Sequence, residues 1–362
     1  MTERIYNFSA GPAILPLPVL QRAQSELLSL DGIGMSVMEI SHRSKHFAPV
    51  LYGAMDGIRE LLNVPENYKI LFLQGGATLQ FSMIPLNFLE KNEVADFVVT
   101  GAWGKKAVKE AKKCGTANVI FTTEAEGFRS VPAQEELNFS KDAKYIHYTS
   151  NETIDGVEFK YDLDGKGIPV VCDASSNILS KPIDIEKYAL IYAGAQKNIA
   201  PSGITLVIIR DDLLEQIPKN QQTLLNYKLI AENDSMLNTP KTWGIYMVDL
   251  VCGWLKEQGG LSATAKLNAE KAKILYEAID SSDGFYRGHA QKEARSLMNV
   301  TFRLPSEELE KQFVAEATEN KLDGLKGHRS VGGIRASIYN AFPREGVETL
   351  VEFMKDFTRR NG

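Results

Sequence analysis

Apolar positions along this chain follow two rhythms. Continuous, largely apolar runs occupy 69–73, 95–99, 144–149, 168–172, 190–193 and 204–209. Runs of this length without polar alternation predict strands buried on both faces of a parallel sheet. Elsewhere apolar residues recur at helical spacing. Val19, Leu20, Ala23, Leu27, Leu28 and Leu30 predict a helix over 18–30 with Pro18 near its start. Helices are also expected at 245–256, 261–279 and 343–359, and one from Ser306, an N-cap hydroxyl ahead of acids in the first turn. Strands at 297–304 and 334–339 accompany the last of these.

Strands alternating with helices predict an α/β fold with a doubly wound sheet. The opening from Tyr6 to Ala13 is turn-rich and aromatic, so residues 1–15 are expected to form an arm over the body. Residues 16–258 then form a large domain, and Gly259-Gly260 marks a hinge into a smaller C-terminal α/β domain, 259–362. Residues 220–242 are polar and weakly periodic; a loop of that length is usually functional or covers a partner.

Composition narrows the partners. A net charge of -5 lacks the basic excess of a nucleic-acid or membrane-surface binder, so any anionic ligand must be drawn by a local basic cluster. Two such clusters exist, Ser41-His42-Arg43-Ser44-Lys45-His46 and Gly327-His328-Arg329-Ser330, the second followed closely by Arg335. Taken singly, each also fits a solvated face. The three cysteines are far apart and odd in number, which suggests neither disulfides nor a zinc site; with no apolar leader or membrane-length run, a cytoplasmic protein is expected.

Candidate chemistry sits where the strands stop. The 168–172 run ends at Asp173, and the 190–193 run is followed by Gly194-Ala195-Gln196-Lys197-Asn198. Ligands of open α/β sheets lie outside the carboxyl ends of the strands, so Asp173 and Lys197 should face one crevice. Pyridoxal phosphate needs both, a lysine for its aldehyde and an aspartate for its pyridine nitrogen. A helix-capping aspartate and a solvated lysine remain the alternatives. The 69–73 strand runs into Gln74-Gly75-Gly76-Ala77-Thr78, a strand, glycine turn and helix start that aims free N–H groups at an anion such as one cofactor phosphate. Trp103, just past the 95–99 strand, fits either core filling or stacking on a flat heterocycle.

The segment Gly194 to Gly203 resembles the cofactor-lysine segment of phosphoserine aminotransferases, class-V pyridoxal-phosphate enzymes of fold type I. Counterparts of the family's motifs run from about residue 6 to residue 341, including the opening Asn7-Phe8-Ser9-Ala10-Gly11-Pro12 and Asn151-Glu152-Thr153-Ile154-Asp155-Gly156. The resemblance implies a large domain with a mostly parallel seven-stranded sheet and a smaller C-terminal domain. It implies Lys197 as the Schiff-base lysine, Asp173 at the pyridinium nitrogen and Trp103 on the ring, with Ala77, Thr78, Thr153, Ser175 and Gln196 as further cofactor contacts. Asn238 and Thr239 would reach the neighbouring subunit's cofactor phosphate, making a homodimer with shared sites. Arg335 would bind the substrate α-carboxylate, and His42, Arg43, His328 and Arg329 its phosphate or distal carboxylate. The implied substrates are phosphoserine, glutamate and 2-oxoglutarate, and the phosphohydroxythreonine of vitamin B6 synthesis is a further possible one. One departure stands out: Thr78 occupies a position where some relatives carry an arginine.

Competing chemistries lack their signatures. A nicotinamide-dependent dehydrogenase should show G-x-G-x-x-G, and a metallohydrolase H-E-x-x-H; neither occurs, and no metal site is expected. A cysteine desulfurase needs a cysteine in the C-terminal domain, where none follows Cys252. An alanine-glyoxylate type of aminotransferase would not need two His-Arg clusters.

Overall fold

The computed structural model describes residues 4–362. The arm contributes β1 (Tyr6–Asn7). The central sheet is built from β2 (Tyr68–Leu73), β3 (Val94–Val99), β4 (Thr116–Thr122), β5 (Ala143–Thr149), β8 (Val170–Asp173), β9 (Leu190–Gly194) and β10 (Thr205–Arg210). A short hairpin, β6 (Asn151–Glu152) and β7 (Val157–Glu158), follows β5. The C-terminal part adds β11 (Arg287–Gly288), β12 (Asn299–Arg303), β13 (Leu322–Asp323) and β14 (Ile334–Ser337).

The seven strands lie in the order β2-β10-β9-β8-β5-β3-β4, and only β10 runs antiparallel to its neighbours. Alternate residues of one strand enter different cores. Tyr68, Ile70 and Phe72 join Ile146, Cys172, Ile191 and Leu206 beneath the helices Ala48–Leu62 and Thr242–Glu257. Leu71 and Leu73 join Phe97, Val171, Tyr192 and Val207 beneath Gly76–Phe88 and Ala102–Ala111. Both faces are covered, which is why these strands read as continuous apolar runs. A third core gathers the helices Gly260–Asp280 and Arg344–Asn361 against β12 and β14, and takes in Phe8 from the arm. The arm is fixed there by parallel pairing of β1 with β13.

Three expectations are corrected. The first helix spans Leu17–Ser25 rather than 18–30. Beyond it Leu28 is 84% exposed, and the chain turns at Ser29, whose hydroxyl accepts from the Gly34 N–H at 2.8 Å. The 220–242 stretch is not all loop: it holds a 3-10 turn, Thr223–Leu225, and the helix Tyr227–Glu232. The Asn226 side chain caps that helix, and the buried Tyr227 ring stacks on Phe88 at 5.9 Å, so tertiary anchoring replaces periodicity. Edge strand β4 was not expected at all, because its half-exposed residues form no apolar run.

Candidate active site

The β8 and β9 ends bring Asp173 and Lys197 together, and the β6-β7 hairpin adds Thr153. Lys197 Nζ donates to the Thr153 hydroxyl at 2.6 Å. Burial lowers the lysine to about 8, opposed by the negative charges of Asp173 and Glu152 and assisted by Arg335. Asp173 is buried, and its Oδ1 accepts from the Ser175 N–H at 2.9 Å. Burial raises its carboxyl above the usual range, against the pull of Lys197, Ser175 and Tyr192. The Ser175 hydroxyl accepts from the Gly194 N–H at 3.0 Å, so it ties the two strand ends together. Tyr192 in turn lies 2.8 Å from Nε2 of the buried His147, which burial holds down at about 3 and therefore neutral.

Trp103 forms one wall. Its ring lies 5.6 Å from Lys197 Nζ and packs near Phe81, and its buried indole N–H has no partner. The backbone N–H groups of Trp103 and Gly104 donate to the two carboxylate oxygens of Glu152 at 2.9 and 2.8 Å. Asp155 takes the Ala102 N–H at 3.2 Å. Burial, then repulsion from Asp155, pushes Glu152 up to about 8, while burial raises Asp155 to about 6.

The glycine turn forms another wall. The helix Gly76–Phe88 starts after Gly75, whose φ of 87° suits glycine, and no side chain caps it. The first N–H groups of that helix, from Gly76 to Thr78, are therefore free for an anion. Ala77 is half-buried and Thr78 exposed. In the same chain Gln74 donates to the Thr239 carbonyl at 3.3 Å, so Thr239 borders this turn, while the Asn238 and Thr239 residues are exposed. The arm closes the far side: the Ala13 N–H donates to the Gln196 carbonyl at 2.8 Å, and Tyr339 holds the Ala10 carbonyl at 2.7 Å.

The cationic residues divide into two groups. Arg335 reaches the Thr153 carbonyl at 3.5 Å, and its buried Nε has no partner. His328 bonds Ser330 at 2.6 Å; it is lowered by burial and then by the positive charges of Arg335, Lys106 and Arg329, which places these groups in one region. A cavity of about 320 Å³ adjoins them, bounded by Asp155, Arg303, His328 and Arg335. His42 and Arg43 lie on the turn ahead of the Ala48–Leu62 helix. Among the described residues they make no hydrogen bond or ion pair with the Lys197 group within one chain, and His42 Nε2 is buried without a partner. Glu152, Asp155 and Lys106 were not singled out from the sequence. The only signal for the two acids was their place in the segment after a strand end, and nothing local pointed to Lys106.

Among known proteins, the class-V aminotransferase profile matches residues 5–350. The chain is 53% identical over 358 residues to a phosphoserine aminotransferase of Geobacillus kaustophilus, covering 99% of each chain. The solved phosphoserine aminotransferase of Bacillus circulans subsp. alkalophilus superposes with a TM-score of 0.98 at 50% identity, covering 100% of both chains. The corresponding Trichomonas vaginalis enzyme, solved with pyridoxal phosphate bound, gives 0.92 at 43% identity, covering 97% of this chain and 100% of that one. With a fold type I architecture and full-length similarity of this degree, the chain belongs to the class-V aminotransferases, within the phosphoserine aminotransferase group.

Proposed function

We propose that this chain binds pyridoxal phosphate at Lys197 and interconverts O-phospho-L-serine and 2-oxoglutarate with 3-phosphohydroxypyruvate and L-glutamate. The observation that carries the reading is the joint placement of Lys197, Asp173 and Thr153 at strand ends beside Trp103. The residues fit the cofactor. The uncapped Gly76 helix start suits its phosphate, the flat indole face its ring, and the buried Asp173 carboxyl, which no lysine or arginine hydrogen-bonds, its ring nitrogen.

When bound, pyridoxal phosphate supplies an aldehyde that carries the amino group between the two acids and a protonated ring that accepts the electron pair left on Cα. Asp173 holds the proton at the ring nitrogen. Trp103 would cover one ring face, and the N–H groups of Ala77 and Thr78 would hold the phosphate. Lys197 Nζ would hold the aldehyde at rest and, once freed, would serve as the base and acid that moves the Cα proton. Its lowered pKa suits that exchange near neutral pH. Thr153 orients the Nζ. Arg335 grips the α-carboxylate with a planar fork. Arg43 and Arg329, assisted by His42 and His328, hold the phosphate or the distal carboxylate of glutamate.

We read the working unit as a homodimer with shared sites in the cytoplasm. The exposed Leu27, Leu28, Met35 and Met38 support the dimer. The three free, scattered cysteines support a reducing compartment. None of the described helices is long and apolar enough to cross a membrane. The two cores on the faces of the central sheet, set against the core of residues 272–357 that takes in Phe8 and Ile14, support the division into an arm, a large cofactor domain to residue 258 and a small domain from 259. The test is turnover by purified, cofactor-loaded protein. Glutamate should form from phosphoserine and 2-oxoglutarate, whereas consumption of alanine with glyoxylate but not of phosphoserine would overturn the assignment.

A further inference from the structure

The Ala102–Ala111 helix has no local cap: Gly101 offers no side chain. Its first three N–H groups are taken instead by two carboxylates from the β6-β7 hairpin and its turn, about fifty residues on. Glu152 does most of this. It is 0% exposed, and its Oε2 and Oε1 accept from the N–H groups of Trp103 at 2.9 Å and Gly104 at 2.8 Å. The approach is close enough to require glycine, since a Cβ at Gly101 would lie 2.4 Å from Glu152 Cδ. The next residue, Thr153, receives Lys197.

From this geometry we propose that Glu152 is a positioning residue that sets the indole of Trp103 against the cofactor ring and ties that wall to the Thr153-Lys197 contact. The proposal rests on the reading of Lys197 as the pyridoxal phosphate site. Capping alone would be met more cheaply by a serine at position 101, without burying a third acid beside Asp155 and Asp173. A remote carboxylate with both oxygens engaged does something a local cap does not: it fixes the backbone of Trp103 relative to the hairpin, so the ring-facing wall and the lysine-orienting hydroxyl move as one body. Asp155 serves as an internal comparison, because it accepts from Ala102, whereas the Trp103 N–H goes to Glu152, and so it helps cap the helix without holding Trp103.

The experiment is a double-mutant cycle on pyridoxal 5'-phosphate affinity, measured by quenching of tryptophan fluorescence and by absorbance with the cofactor-free protein. Glu152→Gln keeps one acceptor but presents an NH2 to a backbone N–H, and should weaken cofactor binding about tenfold when Trp103 is present. In a Trp103→Ala background, followed by absorbance, the same change should cost less than about twofold, because the two residues act as one unit. Asp155→Asn should leave the affinity within about twofold of the parent. Equal losses from Glu152→Gln in both backgrounds, or a loss from Asp155→Asn as large as that from Glu152→Gln, would overturn the proposal. Should Glu152→Gln not fold, Gly101→Ala takes its place in the cycle, its Cβ meeting Glu152 Cγ and Cδ at 2.4 Å and displacing the carboxylate. If the parent protein itself fails to bind pyridoxal phosphate, the cofactor reading falls; if it binds and the cycle is additive, only the role of Glu152 falls.

Discussion

Lys197 Nζ and the Thr153 hydroxyl are 2.6 Å apart, although 44 residues separate them in the chain. The contact joins the turn after β9 to the β6-β7 hairpin and leaves the lysine aimed between Asp173 and Trp103. Lys197→Ala should therefore abolish a borohydride-reducible cofactor bond while leaving the melting temperature of the cofactor-free protein nearly unchanged. Mass spectrometry of the reduced parent should place the adduct on the peptide containing Lys197; an adduct on any other lysine refutes the assignment.

A pH dependence follows from the burial of Lys197. Only the neutral amine attacks an aldehyde, and the neutral form appears above the pKa. With the lysine lowered to about 8, capture of pyridoxal phosphate by cofactor-free protein should accelerate as pH rises from 6 and level off above about 9. An ordinary lysine would still be gaining rate at about pH 10. Stopped-flow absorbance across this range decides between them.

The cationic residues and Thr78 should divide the anionic groups between them. Thr78 is exposed at an uncapped helix start, where its N–H and hydroxyl should serve the cofactor phosphate but cannot neutralise a substrate dianion. Arg43→Ala should lower kcat/KM for phosphoserine and glutamate by an amount equivalent to roughly 2 to 5 kcal/mol, the cost of a charge-assisted contact in a desolvated site. Thr78→Ala should cost about 0.5 to 1.5 kcal/mol and recover on adding pyridoxal phosphate. A Thr78→Ala enzyme still as impaired as Arg43→Ala at saturating cofactor contradicts this division.

Shared sites predict complementation. Lys197→Ala and Thr239→Arg chains, each inactive alone, should regain partial activity when mixed under conditions of proven subunit exchange. Exchange without recovery argues for sites built within one chain.

Among the described residues Lys271 is buried without an ion-pair partner, and its Nζ donates to the carbonyls of Ile338, Tyr339 and Phe342 at 3.1, 2.7 and 3.0 Å. These bonds hold the segment whose Asn340 N–H donates to the Asn198 side chain, next to Lys197. At pH 6, where Lys271 is the ammonium that can donate to all three carbonyls, Lys271→Met should lower the unfolding free energy by roughly 2 to 4 kcal/mol, since three acceptors lose their donor. Burial lowers Lys271 to about 7, so the folded protein sheds this proton before the unfolded chain does. Its contribution should make stability rise with pH from about 7 to 10, and Lys271→Met should flatten that rise in urea unfolding.

The sequence by itself determined the central sheet and the ends of its catalytic strands. Burial on both faces leaves an unbroken apolar run, and the segment that follows such a run lies at the crevice, so the neighbourhood of Asp173 and Lys197 was legible in the sequence. Ser306 as an N-cap was equally local, its hydroxyl accepting from Leu309. Only the tertiary structure decided what depends on distant partners: the reversed direction of β10, the edge strand β4, the Tyr227–Glu232 helix anchored on Phe88, and the carbonyl cage of Lys271. The same holds for Glu152, whose bond to the Trp103 N–H spans 49 residues. A hydrogen bond between remote backbone and side chain imposes no period on either segment, so its residues look ordinary until folding brings them together.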